Sequence, residues 1–189
     1  MNEIVINSTI LEQYIRENYP QYKIISSTTK CITNREEAKK EILNPNYIMT
    51  CLDYNLNKDY KFLESLSVEE KAKTELLVNA VCGPGCPHRA DHYTLNSQYS
   101  LNYGKPFAMR GCYITYNNLY PFKNNVIITP EELKGYYEPN DFSYFKLEGR
   151  SFSAISHLCN LVKYMVKPEY HLYVIAQLTD IYNESRDIL

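Results

Sequence analysis

Residues 82 to 92 read CGPGCPHRADH: two cysteines, two histidines, an arginine and an aspartate in one short run broken by glycine and proline. Thiolate sulfur is the ligand an iron-sulfur centre requires. Cys82 and Cys86 flank Gly83, Pro84 and Gly85, a spacer that lets the chain turn both sulfurs toward one point. Pro87 stands where a helix could begin, and free N–H groups just beyond it would offer partial positive charge to an anionic cluster. Cys112, in "MRGCY", is the natural third ligand and Cys51, closing "IMTC", the fourth; a missing fourth ligand would leave an iron open to substrate. A third close cysteine is absent, because position 89 is Arg, so the run is not a radical-SAM pattern.

Other readings of the same residues stay open. Cys82 and Cys86 with His88 and His92, one helical turn apart, make a Cys2His2 count for zinc. Only Pro87 separates the two pairs, so a mixed set of Cys82, Cys86, Cys112 and His92 wraps a tetrahedron more easily. A peptidase reading makes Cys86 or Cys82 a nucleophile with His88 or His92 as base, the thiol pKa lowered beside Arg89, but no third group to orient the base can be chosen. A metal-free reading treats the cysteines as small buried hydrophobes. It suits Cys31 and Cys159 well, the latter sharing an apolar helical face with Ile155, Leu158 and Val162, and both are expected in the core.

Further polar groups fall where strands are expected to end: Asn7 and Ser8, Ser27 and Thr28, Asp53 and Asn55, Asn79, Thr129, then Glu148 and Arg150. Strands often end in polar turn residues for purely local reasons. If these positions gather, Arg150 or Arg89 could bind a carboxylate in bidentate fashion, and Glu148 or Asp53 could act as general acid or base once burial raises its pKa. The plain alternative is a salt bridge from Glu148 to an arginine.

The elements that must position these groups repeat one rhythm. "EIVINST" is a β-branched run followed by "ILEQYIREN" with helical spacing. "YKIISSTT" precedes "REEAKKEIL", capped by Thr33 or Asn34, and "NYIMTCLDYN" precedes helical stretches at 60–66 and 68–72. "TELLVNAV" runs into the motif, after which "DHYTLNSQYS" could be helical. A Tyr-, Asn- and Gly-rich stretch follows from about 101 to 125, so that 80–125 as a whole reads as a long functional loop. "NNVIIT" gives a fifth strand before Pro130, which opens a helix at its favoured first position. "FSYFKLE" gives a sixth strand, followed by an amphipathic helix and a tail from 168 to 189 that is expected to be helical, although "HLYVIAQL" could pass for a strand. Strand, helix, strand with short links predicts a single α/β domain of about six parallel strand-helix units, either an open doubly wound sheet or a partial TIM-like barrel. Both place function at the carboxyl ends of the strands.

Composition bounds the partners. The chain has 189 residues, a formal net charge of −2 and 44% hydrophobic residues, the profile of a soluble globular domain with no basic face for nucleic acid. No stretch is apolar for the length of a membrane span, and "MNEIVINSTILEQYIREN" lacks the cationic start and apolar core of a signal peptide. These features predict a cytosolic protein whose six cysteines stay reduced and serve as ligands, catalytic groups or core. The 19 tyrosines and the absence of tryptophan read as coding bias.

"LLVNAVCGPGCPHRADHY" and "FKLEGRS", with "VINST" and "LEQYI" near the start, resemble the TIM-barrel part of the collagenase-like "unassigned" peptidase family over most of the span 4–166. That family includes iron-sulfur proteins of oxygen-independent hydroxylation of ubiquinone precursors and RNA. The resemblance implies a 4Fe-4S cluster at the barrel mouth and redox or hydroxylation chemistry on a small organic or nucleotide-derived substrate. A complete barrel of this kind has eight strand-helix units. Six units therefore predict the C-terminal portion of a barrel, as a truncated reading frame or as a chain completed by a partner or a second copy of itself.

Overall fold

The computed structural model describes residues 2–80, 82–101, 126–148 and 154–186. Its sheet has five strands, β1 (Glu3–Ile6), β2 (Lys23–Ser26), β3 (Met49–Cys51), β4 (Thr74–Leu77) and β5 (Tyr144–Lys146). They lie in the order β1-β2-β3-β4-β5 with every neighbouring pair parallel. A doubly wound sheet reverses its strand order at a switch point. Among the described residues this order runs one way and shows no such reversal. Right-handed crossovers that always step in the same direction bring their helices to one face.

The helices are α1 (Thr9–Asn18), α2 (Arg35–Leu43), α3 (Tyr60–Glu64), α4 (Val68–Ala72), α5 (Arg89–Ser100), α6 (Pro130–Glu132), α7 (Ala154–Met165) and α8 (His171–Arg186). Their starts follow from local chemistry. Ser8 accepts from the Leu11 N–H, Asn34 from the Glu36 and Glu37 N–H groups, and Ser67 and Thr129 form reciprocal capping boxes with Glu70 and Glu132. Pro130 sits in the first turn of α6 as expected, and α6 continues into a π-helical turn at Leu133–Tyr137. The segment "HLYVIAQL" is helix, within α8.

Two neighbouring cores lie on the helix side of the sheet. Ile6 and Ile24 pack with Tyr47 and with Ile15 of α1. Leu76 and Val78 pack with Ile42 of α2, Phe62 and Leu63 of α3, and Tyr137 and Phe142. Charged pairs stitch successive helices outside these cores. Arg35 of α2 binds Asp59 at the start of α3, Lys39 of α2 reaches Glu70 of α4 at 3.3 Å, and Lys58 meets Glu132 of α6 at 2.6 Å. Between α1 and α2 the Tyr47 hydroxyl donates to Glu12 at 2.7 Å, while Lys30 donates to Glu41 at 2.6 Å and to the Tyr47 oxygen at 3.0 Å.

Of the fifth strand expected at 124–129, residues 126–129 are described and form no strand. Asn57 Nδ2 donates to the Val126 carbonyl at 3.1 Å, Ile128 N–H donates to Val78 O at 3.0 Å, and Thr129 is already committed as the α6 cap. The expected sixth strand is β5, so the described residues contain five strands where six were expected. The tyrosines also have a structural use that coding bias does not describe. Tyr137 donates to Asn57 O at 2.7 Å and Tyr164 to Ile128 O at 2.9 Å, each carrying a hydroxyl to a backbone carbonyl between elements. Among the described residues no helix is long and apolar enough to cross a membrane.

Two outcomes are expected. Leu63→Ala removes a fully buried side chain and should cost about 2–5 kcal/mol in urea unfolding, whereas Val68→Ala at an exposed site should change stability by less than about 0.5 kcal/mol. Burial pushes the Glu12 carboxyl upward, but the bonds from Tyr47 and Arg16 outweigh it and hold its pKa below the ordinary value. That contribution is present at neutral pH and is lost as pH falls through the depressed folded pKa. Glu12→Gln should therefore lower stability at pH 7 and flatten the acid limb of a stability-against-pH curve.

Candidate functional site at the carboxyl ends of the strands

The motif folds onto the carboxyl ends of β2, β3 and β4. After β3, Asp53 caps a short 3-10 turn, Tyr54–Leu56, by accepting from the Asn55 N–H. That turn receives the motif loop at two points: the Tyr54 hydroxyl donates to Gly83 O at 3.2 Å, and the Gly85 N–H donates to Asn55 Oδ1 at 2.7 Å. Gly85 has φ +63, a left-handed conformation that favours glycine. Cys82 packs against Tyr54, Leu77, Ala80 and Val126.

Arg89, the first residue of α5, is only 3% exposed and Asp53 only 2%. The guanidinium pairs with the Asp53 carboxylate. Its Nε donates to the Tyr93 hydroxyl at 2.8 Å, and its other terminal nitrogen donates to Thr28 O at 3.0 Å and Thr28 Oγ1 at 3.1 Å. The cation lies 4.0 Å from the Tyr54 ring centroid. Burial works against its charge, but Asp53 and Tyr93 outweigh burial and hold its pKa above the ordinary value. The structure brings together Arg89, expected to bind a substrate carboxylate, and Asp53, expected to act as acid or base, as one buried pair. Their hydrogen-bonding groups face each other and the ends of β2 and β3, so both position the loop.

Cys82 and Cys86 are each half-buried thiols. Burial pushes the Tyr54 hydroxyl's pKa well up, and the charges of Cys82 and Cys86 act in the same direction. Cys112 and Arg150 lie outside the described residues. Cys51 faces the opposite side of the sheet from the helices. Burial pushes its thiol up to about 12, and its neighbours there are Lys146 and Glu75, paired with each other at 3.2 Å. His92 is buried on α5, its ring centroid 6.1 Å from that of His88. Among the described residues no group of three or more His, Cys, Asp or Glu could hold a metal ion, so the Cys2His2 combination is not gathered there.

Glu148 is set by Asn79. The Asn79 amide donates to Glu148 O at 2.8 Å and accepts from Glu148 N–H at 2.8 Å, fastening the end of β5 to the end of β4. Glu148 and Cys82 both act on the Tyr93 hydroxyl, which burial pushes up to about 12. Tyr93 is thus a mouth residue that sequence reasoning missed; its place four residues after Arg89, one turn along α5, was the available signal. Cys31 was also misplaced. It is half-buried, left-handed at φ 56, and its thiol, pushed up by burial, stands in the field of both Arg89 and Asp53. Cys159 is likewise half-buried rather than core.

Soft thiol donors at Cys82 and Cys86, half-buried on a loop fastened at two points, suit part of the donor set of an anionic thiolate-bound centre. Fold and site together define a parallel α/β protein whose cysteine-bearing loop closes the carboxyl end of its sheet. Comparison with protein-family models, curated proteins and solved structures finds no match.

Arg89→Ala should destabilise the protein by about 3–5 kcal/mol in chemical denaturation, since it leaves Asp53 buried without its cation. The double variant Asp53→Asn with Arg89→Met should cost clearly less than the two single variants added together.

Proposed function

We propose that the chain is a barrel-type enzyme domain of the collagenase-like peptidase kind, with an iron-sulfur centre at the carboxyl mouth of its strands. Cys82 and Cys86 hold the centre, and Cys112 adds a third thiolate. The observation that carries this reading is the pair of half-buried thiols, Cys82 and Cys86, on a loop that Tyr54 and Asn55 clamp through Gly83 and Gly85. The one-way strand order supports a partial TIM-like barrel, the arrangement in which βα units follow one another around an axis.

When bound, such a centre supplies one-electron redox chemistry for a small organic or nucleotide-derived substrate. The chain's own residues prepare its surroundings. Arg89 and Asp53 fix the loop, and Asn79 holds the Glu148 backbone at the rim. The Tyr93 hydroxyl accepts from Arg89 and stays protonated at neutral pH. That makes it a donor for a substrate oxygen, with Glu148 as the neighbouring carboxylate. A second reading, a metal-free loop that serves only as a structural staple in a non-catalytic subunit, draws support from Arg89 being spent on structural contacts.

Anaerobic purification with iron and sulfide reconstitution separates the two. The enzyme reading expects a brown protein absorbing at about 400 nm with iron and acid-labile sulfide, lost in Cys82→Ser and Cys86→Ser and kept in Cys159→Ser. A colourless protein that takes up neither iron nor zinc overturns it in favour of the staple.

A further inference from the structure

Gly83, Pro84, Gly85 and Cys86 make a tight turn. The Cys86 N–H donates to Gly83 O at 3.3 Å, and Gly85 is left-handed at φ +63. Proline in the second place and a positive-φ glycine in the third are the marks of a type II turn, which brings its first and fourth Cα atoms within about 7 Å of each other. Cys86 is the fourth residue of the turn, and Cys82 stands one residue before the first. The chain reversal carries the two cysteines back toward each other, and a disulfide asks for Cα atoms about 4.4–6.8 Å apart.

The turn is also held. The Tyr54 hydroxyl donates to Gly83 O at 3.2 Å and Asn55 Oδ1 accepts from the Gly85 N–H at 2.7 Å, so its first and third residues are each fastened to the turn after β3. The Asn55 amide is itself aimed. Its Nδ2 donates to Asp53 Oδ1 at 2.8 Å, which leaves its oxygen for Gly85, and Asp53 is anchored in turn by Arg89. A turn fixed in this way has already given up much of the chain entropy that closing a ring costs. Both thiols are half-buried and not enclosed, which leaves them within reach of a small reagent. The other described cysteines sit elsewhere: Cys31 ends the 3-10 turn after β2, Cys51 is buried in β3, and Cys159 lies on α7.

We infer that Cys82 and Cys86 form a reversible disulfide with each other. Each thiol gives up its proton and an S–S bond forms between the two Sγ atoms. The two electrons pass to a glutathione disulfide, whose own S–S bond breaks to release two glutathione thiols. The bridge does not require that the pair hold a metal. Where the pair holds the proposed centre, the bridge withdraws two of its ligands, so that only the reduced chain loads; this consequence rests on the iron-sulfur reading, and the bridge itself does not.

Metal-free protein equilibrated anaerobically in glutathione buffers of graded redox poise, then acid-trapped, alkylated and mapped by peptide mass, provides the test. A Cys82–Cys86 bridge should appear as the share of glutathione disulfide rises and should reverse with dithiothreitol. It should be absent from Cys82→Ser and Cys86→Ser and unchanged in Cys159→Ser. Asn55→Ala and Tyr54→Phe each remove one fastening and should lower the equilibrium constant for the bridge by about threefold to tenfold, the weight of one hydrogen bond, with unchanged circular dichroism. Tyr54→Phe keeps its ring beside Arg89 and so keeps the fold. Thiols that stay reduced, that stop at mixed disulfides with glutathione, or that pair with Cys112 instead overturn the inference. Two fastening variants that both oxidise as readily as wild type overturn the part given to the clamp. Iron uptake by the reduced protein is read separately, so a bridge formed by a protein that takes up no iron removes the proposed centre and leaves the disulfide standing.

Discussion

A buried guanidinium organises the carboxyl end of this molecule. Taking Arg89 and Asp53 out of water is costly unless each finds a partner and the remaining hydrogen-bonding positions are filled. Here Asp53, the Thr28 carbonyl and hydroxyl, and the Tyr93 phenol surround the cation, with the Tyr54 ring stacked against it. The pair therefore tolerates few positions, and its surroundings come from three parts of the chain. Thr28 follows β2, Asp53 follows β3, and Arg89 and Tyr93 belong to α5. One charge thereby locates the motif loop against the ends of two strands.

The chemistry available at the mouth follows from what that constraint uses up. Arg89 and Asp53, the most conspicuous charged groups of the motif region, are given to structure. The half-buried thiols of Cys82 and Cys86 and the Tyr93 hydroxyl lie on the motif loop and on α5 beside that pair. Asn57 shows the same economy and its limit. Fully buried, it donates to Leu77 O and Val126 O and so joins the turn after β3 to the end of β4 and the segment before α6, while its own Oδ1 has no partner. Two good amide bonds there outweigh one unsatisfied acceptor.

Strand order has its own consequence. Because each strand lies beside the one before it, the apolar surfaces of α1, α2, α3 and α7 reach the same side of the sheet. The other side holds a mixed lining: Cys51 and Leu77 are buried near the centre, the Glu75–Lys146 pair sits beside them, and Val5 and Tyr144 stand exposed at the margins. Among the described residues β1 and β5 each pair with one strand, so the order has two unlike ends.

The sequence by itself determined what depends on near neighbours. Periodicity marked the positions of α1, α2, α4, α7 and of all five described strands, and caps such as Ser67 with Glu70 and Thr129 with Glu132 are three-residue relations that can be read directly. It also located the motif at a strand end. What it left undecided depends on groups far apart in the chain: whether 124–129 joins the sheet, which partner Arg89 takes across 36 positions, and which cysteine faces which environment. Apolar pattern and turn chemistry act over a few residues, so they specify elements. The destination of a buried charge or thiol is set by which strand ends the topology brings together, and only the tertiary structure fixes that.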